Sequence, residues 1–199
     1  VYPIMRSYPI LVLPLGILIL GEECSPIAII GIILVVFGVY IVNMSKLDLK
    51  NLMEPLNGII KGGRAWALLA MVAISFLTIV DKLGIDIMRP EKYLIIHTIF
   101  TVIFYAVYIL MVFGVKSIKS EWMHGRILVL FTGIITILGG LLVLFSYKIA
   151  NVSYVSGLRQ ISVIFAVIFG YAILKERNLT IRLFASFFIT SGAYMITIG

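Results

Sequence analysis

The chain has 199 residues, 62% of them apolar and 13% charged, about half the charged share of an ordinary soluble domain, roughly 25%. So few charges cannot cover a globule, which excludes a soluble fold, and apolar runs long enough to cross a hydrocarbon core about 30 Å thick recur from end to end. The net charge of +7 does not point to nucleic acid, because Lys and Arg sit singly or in pairs between the apolar runs, as loop charges of a membrane protein do.

Apolar runs between polar breaks predict seven spans, at 1–20, 26–42, 65–80, 93–115, 127–145, 152–174 and 181–198. The first contains Pro3, Pro9 and Pro14, each of which removes a backbone donor and bends a helix. Either a broken helix beside a cavity or a kinked, packed one satisfies that pattern. Ser25-Pro26 reads as an N-cap followed by proline at the first helical position, and Asn178-Leu179-Thr180 supplies a similar start for the last span. Cys24 is the single cysteine, lying in an acidic turn beside Glu22 and Glu23, so neither a disulfide nor a metal site is expected. Gly31 and Gly38, on one helix face, and Gly139-Gly140 should let helices approach closely. Residues 43–64 form the longest polar connection, with Pro55, Gly58, Gly62 and Gly63. Trp66, Tyr93 and Trp122 near span ends read as interfacial anchors, and His97 among apolar neighbours as an interhelical hydrogen-bond donor.

Sliding the chain against itself at an offset of 154 aligns residues 1–42 with 155–196, matching Ile10 with Ile164, Gly16 with Gly170, Ile19-Leu20 with Ile173-Leu174, Glu22 with Glu176, Ile27 with Ile181, Gly38 with Gly192 and Tyr40 with Tyr194. The two copies lie five crossings apart, an odd number, so they run through the membrane in opposite senses as an inverted repeat. The same offset puts partners for the third to fifth spans upstream of Val1. The expected fold is therefore an all-α polytopic membrane protein, seven transmembrane helices of a ten-helix inverted five-plus-five repeat. Residues 1–42 are the last two helices of the first repeat, 43–64 the loop between repeats, and 65–199 the second repeat.

The stretch Gly157-Leu158-Arg159-Gln160-Ile161-Ser162-Val163-Ile164-Phe165-Ala166, continued by Gly170 and closed by Leu174-Lys175-Glu176-Arg177, resembles the ninth helix and following turn of EamA-like proteins in the drug/metabolite transporter superfamily. Ser7-Tyr8-Pro9, Gly16 and Leu20-Gly21-Glu22 resemble the matching part of the first repeat. The resemblance implies ten helices in two inverted halves that export or exchange small metabolites. It does not name the substrate, since one scaffold carries many.

All nine acidic residues are expected at span ends or in loops, leaving no carboxylate inside a span to hold a coupling proton. Arg6 and Arg159 are the two basic residues within spans. A charge there costs at least about 2.5 kcal/mol on insertion scales, so it faces a cavity, finds a partner or snorkels. A guanidinium in a cavity suits a carboxylate or phosphate, held bidentately. The candidate substrate-binding residues are accordingly Arg159, Gln160, Tyr154 and Ser156 on the sixth span, Arg6 and Tyr8 on the first, Ser75 on the third and Ser146 on the fifth. The expected function is a secondary transporter, with amino acids or other organic anions favoured as substrate. The rivals are a non-transporting scaffold or accessory subunit and an enzyme acting on lipid head groups, but no motif of an enzyme site is present. The expected partners are a small-molecule substrate, the lipid bilayer and a second copy in a homodimer; no nucleic acid and no cofactor are expected. The expected location is the cell membrane, crossed many times. Orientation stays open, because the loops after even-numbered spans hold ten Lys and Arg against four in the alternate loops, which places Gly199 outside, whereas the family resemblance implies cytoplasmic ends.

Overall fold

The computed structural model describes residues 5–42, 63–174 and 179–199. Among them every regular element is helical. In chain order these are α1 (Pro9–Leu15), α2 (Pro26–Val42), α3 (Gly63–Ile87), α4 (Pro90–Val112), α5 (Val115–Ile149), α6 (Val152–Leu158), α7 (Ser162–Leu174) and α8 (Leu179–Ile198). Residues 43–62, residues 175–178 and Pro3 lie outside the described residues, and so does the side chain of Trp122.

Three helical stretches, Ala65–Ile87, Pro90–Val112 and Gly125–Ile149, are long and apolar enough to cross a membrane by length and composition. Pro9–Leu20, Pro26–Ile41 and Leu183–Ile198 are apolar but shorter. Large apolar side chains such as Phe100, Phe104, Met111, Leu128 and Phe131 are exposed along α4 and α5. Such a continuous outward apolar surface suits hydrocarbon rather than water.

The chain divides into two compact units, residues 1–80 with 150–199, and residues 81–149. In the first, α2 and α8 form the most closely packed pair. A methyl group on Gly31 would lie 2.6 Å from the Gly192 carbonyl oxygen, and one on Gly38 would lie 2.8 Å from that of Ala185. The glycines thus let two backbones touch, and Ile32, Val35, Val39, Ile189 and Ile196 fill the seam between them. Gly157 brings α6 onto the same pair, against Ile196 and Ile32.

The span expected at 1–20 is interrupted. A turn at Ser7–Tyr8 precedes α1, Pro9 occupies its first turn, and Pro14 lies inside it. After Leu15 the helix widens into a π-helical turn, Gly16–Leu20, and ends at Gly21 with φ +67°, a left-handed conformation that glycine adopts without steric cost. α6 is also irregular: it tightens into a 3₁₀ turn over Arg159–Ile161 before continuing as α7. Ser25 caps α2 as its sequence predicts, its Oγ accepting the Ala28 N–H at 3.1 Å.

In the second unit, α4 begins at Pro90 after extended Arg89, Gly114 turns the chain at φ +73°, and α5 bends at non-helical Gly125. Lys82 Nζ donates to the Tyr147 carbonyl and Lys148 Nζ to that of Ile85, both at 2.8 Å. Each lysine satisfies carbonyls near the C-terminal end of the other's helix, where the helix dipole favours positive charge. Gly139 meets nothing within 4 Å and Gly140 only the tip of Leu94 at 3.6 Å among the described residues, so close approach occurs at Gly31 and Gly38 and not at Gly139-Gly140.

Candidate functional site

The polar groups of the first unit gather around the two irregular helices. Asn151 stands at the N-cap of α6, but its side chain does not cap the helix. Its Nδ2 donates instead to the Glu23 carbonyl at 2.8 Å. The orphaned first-turn N–H groups therefore turn to Glu22, whose Oε1 accepts from Val152 N and whose Oε2 accepts from Ser153 N at 3.3 Å and Ser153 Oγ at 2.8 Å. A carboxylate at a helix N-terminus satisfies the free donors and meets the positive end of the dipole. Tyr154 completes the clasp, its hydroxyl oxygen accepting the Ser25 N–H at 2.9 Å. Gly16 makes room for it, because a methyl there would sit 2.6 Å from Glu22 Oε2 and 2.8 Å from Ser153 Oγ. The turn after α1 is thus bound to the start of α6 from both sides. Within this turn burial, and then the charge of Glu22, hold the Cys24 thiol above its ordinary pKa.

Of the candidate residues, Tyr8 and Ser75 are brought together. Both are buried, and Ser75 Oγ lies 3.3 Å from the Tyr8 carbonyl oxygen and donates at 2.8 Å to that of Met71. Tyr154 belongs to the clasp at the helix end, a role its sequence position did not announce. Ser156 and Gln160 lie one turn apart on α6 and its 3₁₀ continuation, at 0% and 1% exposure. Ser156 Oγ and both amide atoms of Gln160 have no hydrogen-bond partner among the described residues. Leaving such a group unsatisfied costs roughly 1–3 kcal/mol, which is why each calls for an explanation. Arg159 adjoins Gln160, but in a 3₁₀ turn neighbours point about 120° apart; its side chain is exposed while that of Gln160 is buried. Arg6 is half-buried before the turn into α1. Ser146 belongs to the second unit, where its Oγ donates to the Leu142 carbonyl at 2.9 Å.

Asp81 was expected at the end of a span but lies within α3, which continues to Ile87. Tyr93 OH donates to its Oδ1 at 2.8 Å, over Gly84, which leaves room for the ring. Tyr93 is therefore tied to α3 rather than serving only as an interfacial anchor, and His97 stacks on it with ring centroids 6.1 Å apart. A cavity of about 350 Å³ in this unit is lined by Leu94, Ile95, Ile99, Val102 and Ile137, with Thr98 its one hydroxyl. Such a lining offers little to a charged solute. No cluster of metal-ligating side chains occurs among the described residues.

The profile of the EamA-like transporter family matches residues 61–198, from the start of α3 to the last turn of α8. The chain belongs to the EamA-like transporter family. As an EamA-type member of the drug/metabolite transporter superfamily, and with helices apolar enough to cross a bilayer, it is an integral membrane protein. Members of the family are transporters rather than enzymes. No curated protein and no solved structure matches the chain. Within this EamA-like chain the matched region contains α6, the 3₁₀ turn with Gln160, and Ser75, while Arg6, Tyr8 and Glu22 lie before it.

Proposed function

We propose that this EamA-like chain forms seven spans of a ten-helix secondary transporter of the cell membrane, built from two inverted halves. It exports or exchanges small metabolites, amino acids or other organic anions, by alternating access between its two inverted repeats. The observation that carries this reading is that the stretches 1–20 and 152–174, which the sequence repeat aligns from residue 155 onward, are both interrupted helices, the first around α1 and the second between α6 and α7, in a chain belonging to a transporter family. Interrupted helices expose backbone polar groups only where protein or a water-filled path can satisfy them, and transporters place substrate sites at such breaks. Arg159 and Arg6 supply the field for an anion, and Gln160, Ser156, Tyr8 and Ser75 supply neutral hydrogen bonds.

Counterflow tests this directly. Liposomes containing the full-length protein are loaded with a mixture of metabolites, and uptake of each labelled solute is followed against its outward gradient. A transporter exchanges at least one of them, and exchange of none supports a scaffold or accessory subunit instead.

A further inference from the structure

In the first unit, residues before 42 meet residues after 150 along the α2–α8 seam and at the Glu22 clasp, and the two contacts respond differently to the repeat. The offset of 154 carries Gly31 onto Ala185, Val35 onto Ile189 and Gly38 onto Gly192. The seam obeys that exchange. A methyl on Gly192 would meet the Gly31 carbonyl oxygen and the side chain and nitrogen of Val35, and a methyl on Gly38 would meet the Ala185 carbonyl oxygen and the side chain and nitrogen of Ile189. The seam therefore maps onto itself when the halves are exchanged, and the clasp does not. Its donors, Val152 and Ser153, stand at the start of α6, whereas the offset carries Glu22 to Glu176, beyond the far end of the aligned span. In a transporter of two inverted halves the two open states differ by exchange of the halves' arrangements. A contact that maps onto itself persists through the exchange, and one that does not belongs to one state.

We propose that the Glu22 clasp is a gate: it closes the chain at the face shared by the end of α1 and the start of α6, and it opens once in each transport cycle while the α2–α8 seam holds. The inference rests on the transporter reading and names the contact that its cycle must break. The backbone on both sides of the clasp suits such a motion. The π-helical turn Gly16–Leu20 leads into it and the 3₁₀ turn Arg159–Ile161 follows it, and irregular turns of this kind mark hinges. α6 rests on the seam at Gly157, so a swing about that contact moves its 151–154 end. The bonds suit it too. Those of Glu22, Ser153 and Tyr154 are partly buried and that of Asn151 is exposed, so water replaces them as they part. Parting the seam would instead uncover Ile32, Val35, Val39 and Ile189, all fully buried. Behind the clasp, three residues along α6 from Ser153, Ser156 is closed off at 0% exposure.

The native cysteine supplies the test. Asn151 Nδ2 lies 3.9 Å from Cys24 Sγ across the clasp, so Asn151→Cys sets a second thiol against the first, and copper phenanthroline with air oxidises the pair to a disulfide. The full-length variant in liposomes is assayed by the mixed-metabolite counterflow, oxidised and reduced, with loss of both thiols to maleimide verifying the lock. Oxidation should lower exchange by about tenfold or more and dithiothreitol should restore it, while wild type ignores the oxidant. Unchanged exchange by the locked protein overturns the proposal, because the clasp is then a helix cap that stays shut throughout. A second measurement needs no lock and decides the matter if the disulfide does not form. Ser156→Cys and, in the seam, Ile189→Cys are each placed in a Cys24→Ser background, and maleimide labelling is timed with and without Glu22→Gln. Weakening the clasp should speed labelling at position 156 by about fivefold and leave position 189 unchanged. Equal rates at position 156 overturn the gate, and so does equal acceleration at both positions, which marks general loosening. Absence of counterflow from wild type removes the transporter reading itself, whereas counterflow by the locked protein removes the gate alone.

Discussion

Replacing Glu22 with alanine removes the acceptor for three donors of α6, Val152 N, Ser153 N and Ser153 Oγ. Asn151 does not take over the cap while its Nδ2 is held by the Glu23 carbonyl. Loss of a helix cap costs about 1 kcal/mol. Loss of a carboxylate from the positive end of a helix dipole adds about 0.3–1 kcal/mol. Stranding a half-buried N–H adds roughly another 1 kcal/mol, the lower end of the range for buried groups. Glu22→Ala should therefore destabilise the first unit by about 2–3 kcal/mol, and Glu22→Gln, which keeps one acceptor but loses the charge, by about 1 kcal/mol. For a chain of this length that lowers Tm by about 4–12 °C in the Ala variant, measurable by intrinsic fluorescence in detergent. Because Ser153 and Glu22 share one bond, Ser153→Ala should cost less in the Glu22→Ala background than alone. A Glu22→Ala variant melting within 1 °C of wild type, or fully additive costs, would refute the clasp.

Three other outcomes follow from the same geometry. Gly31→Ala pushes a methyl group against the Gly192 carbonyl, which no side-chain rotation relieves, and should cost about 1–3 kcal/mol, whereas Gly139→Ala, in open space, should change thermal stability by less than about 0.5 kcal/mol. The raised pKa of Cys24 leaves less thiolate near neutrality, so maleimide labelling should be slow at pH 7, accelerate as pH rises through the thiol pKa, and quicken in Glu22→Gln, which removes the neighbouring negative charge; a rate unchanged by that substitution contradicts the Coulombic part. If Arg159 holds the substrate's carboxylate, Arg159→Lys should slow initial transport per folded molecule and Arg159→Ala should abolish it, while normal transport by the folded Ala variant assigns the side chain to the protein surface.

The helical course of the chain was legible because apolar runs announce helices whatever they pack against. The stretch 26–42 was read with the ends the structure gives α2, since Ser25-Pro26 is a local start signal. Ends governed by distant groups were not legible. α3 runs on to Ile87 through Asp81, Lys82 and Asp86 because Tyr93 and the Tyr147 carbonyl satisfy the first two and Lys82 pairs with the third. Gly31 and Gly38 announced a close contact but not its partner, whereas Gly139-Gly140 carries the same signal without the contact. At the candidate site, Gln160 and Ser156 stood out as polar residues in an apolar run, yet their lack of partners is a tertiary fact. Glu22 was visible as an acidic turn residue matched by the repeat, but its bond to Ser153 spans 131 positions and leaves no local signature of the kind a capping box does.

Opposed halves have a consequence that side-specific labelling reads directly. Single cysteines are compared in intact cells with a membrane-impermeant maleimide: native Cys24, and Ser45→Cys and Arg177→Cys, each in a Cys24→Ser background. Seven spans with inverted copies put Cys24 on one face and positions 45 and 177 together on the other, whichever way the protein is oriented. If α3, α4 and α5 alone cross the bilayer, positions 24 and 45 share a face and position 177 takes the opposite one, a result that would contradict the inverted repeat.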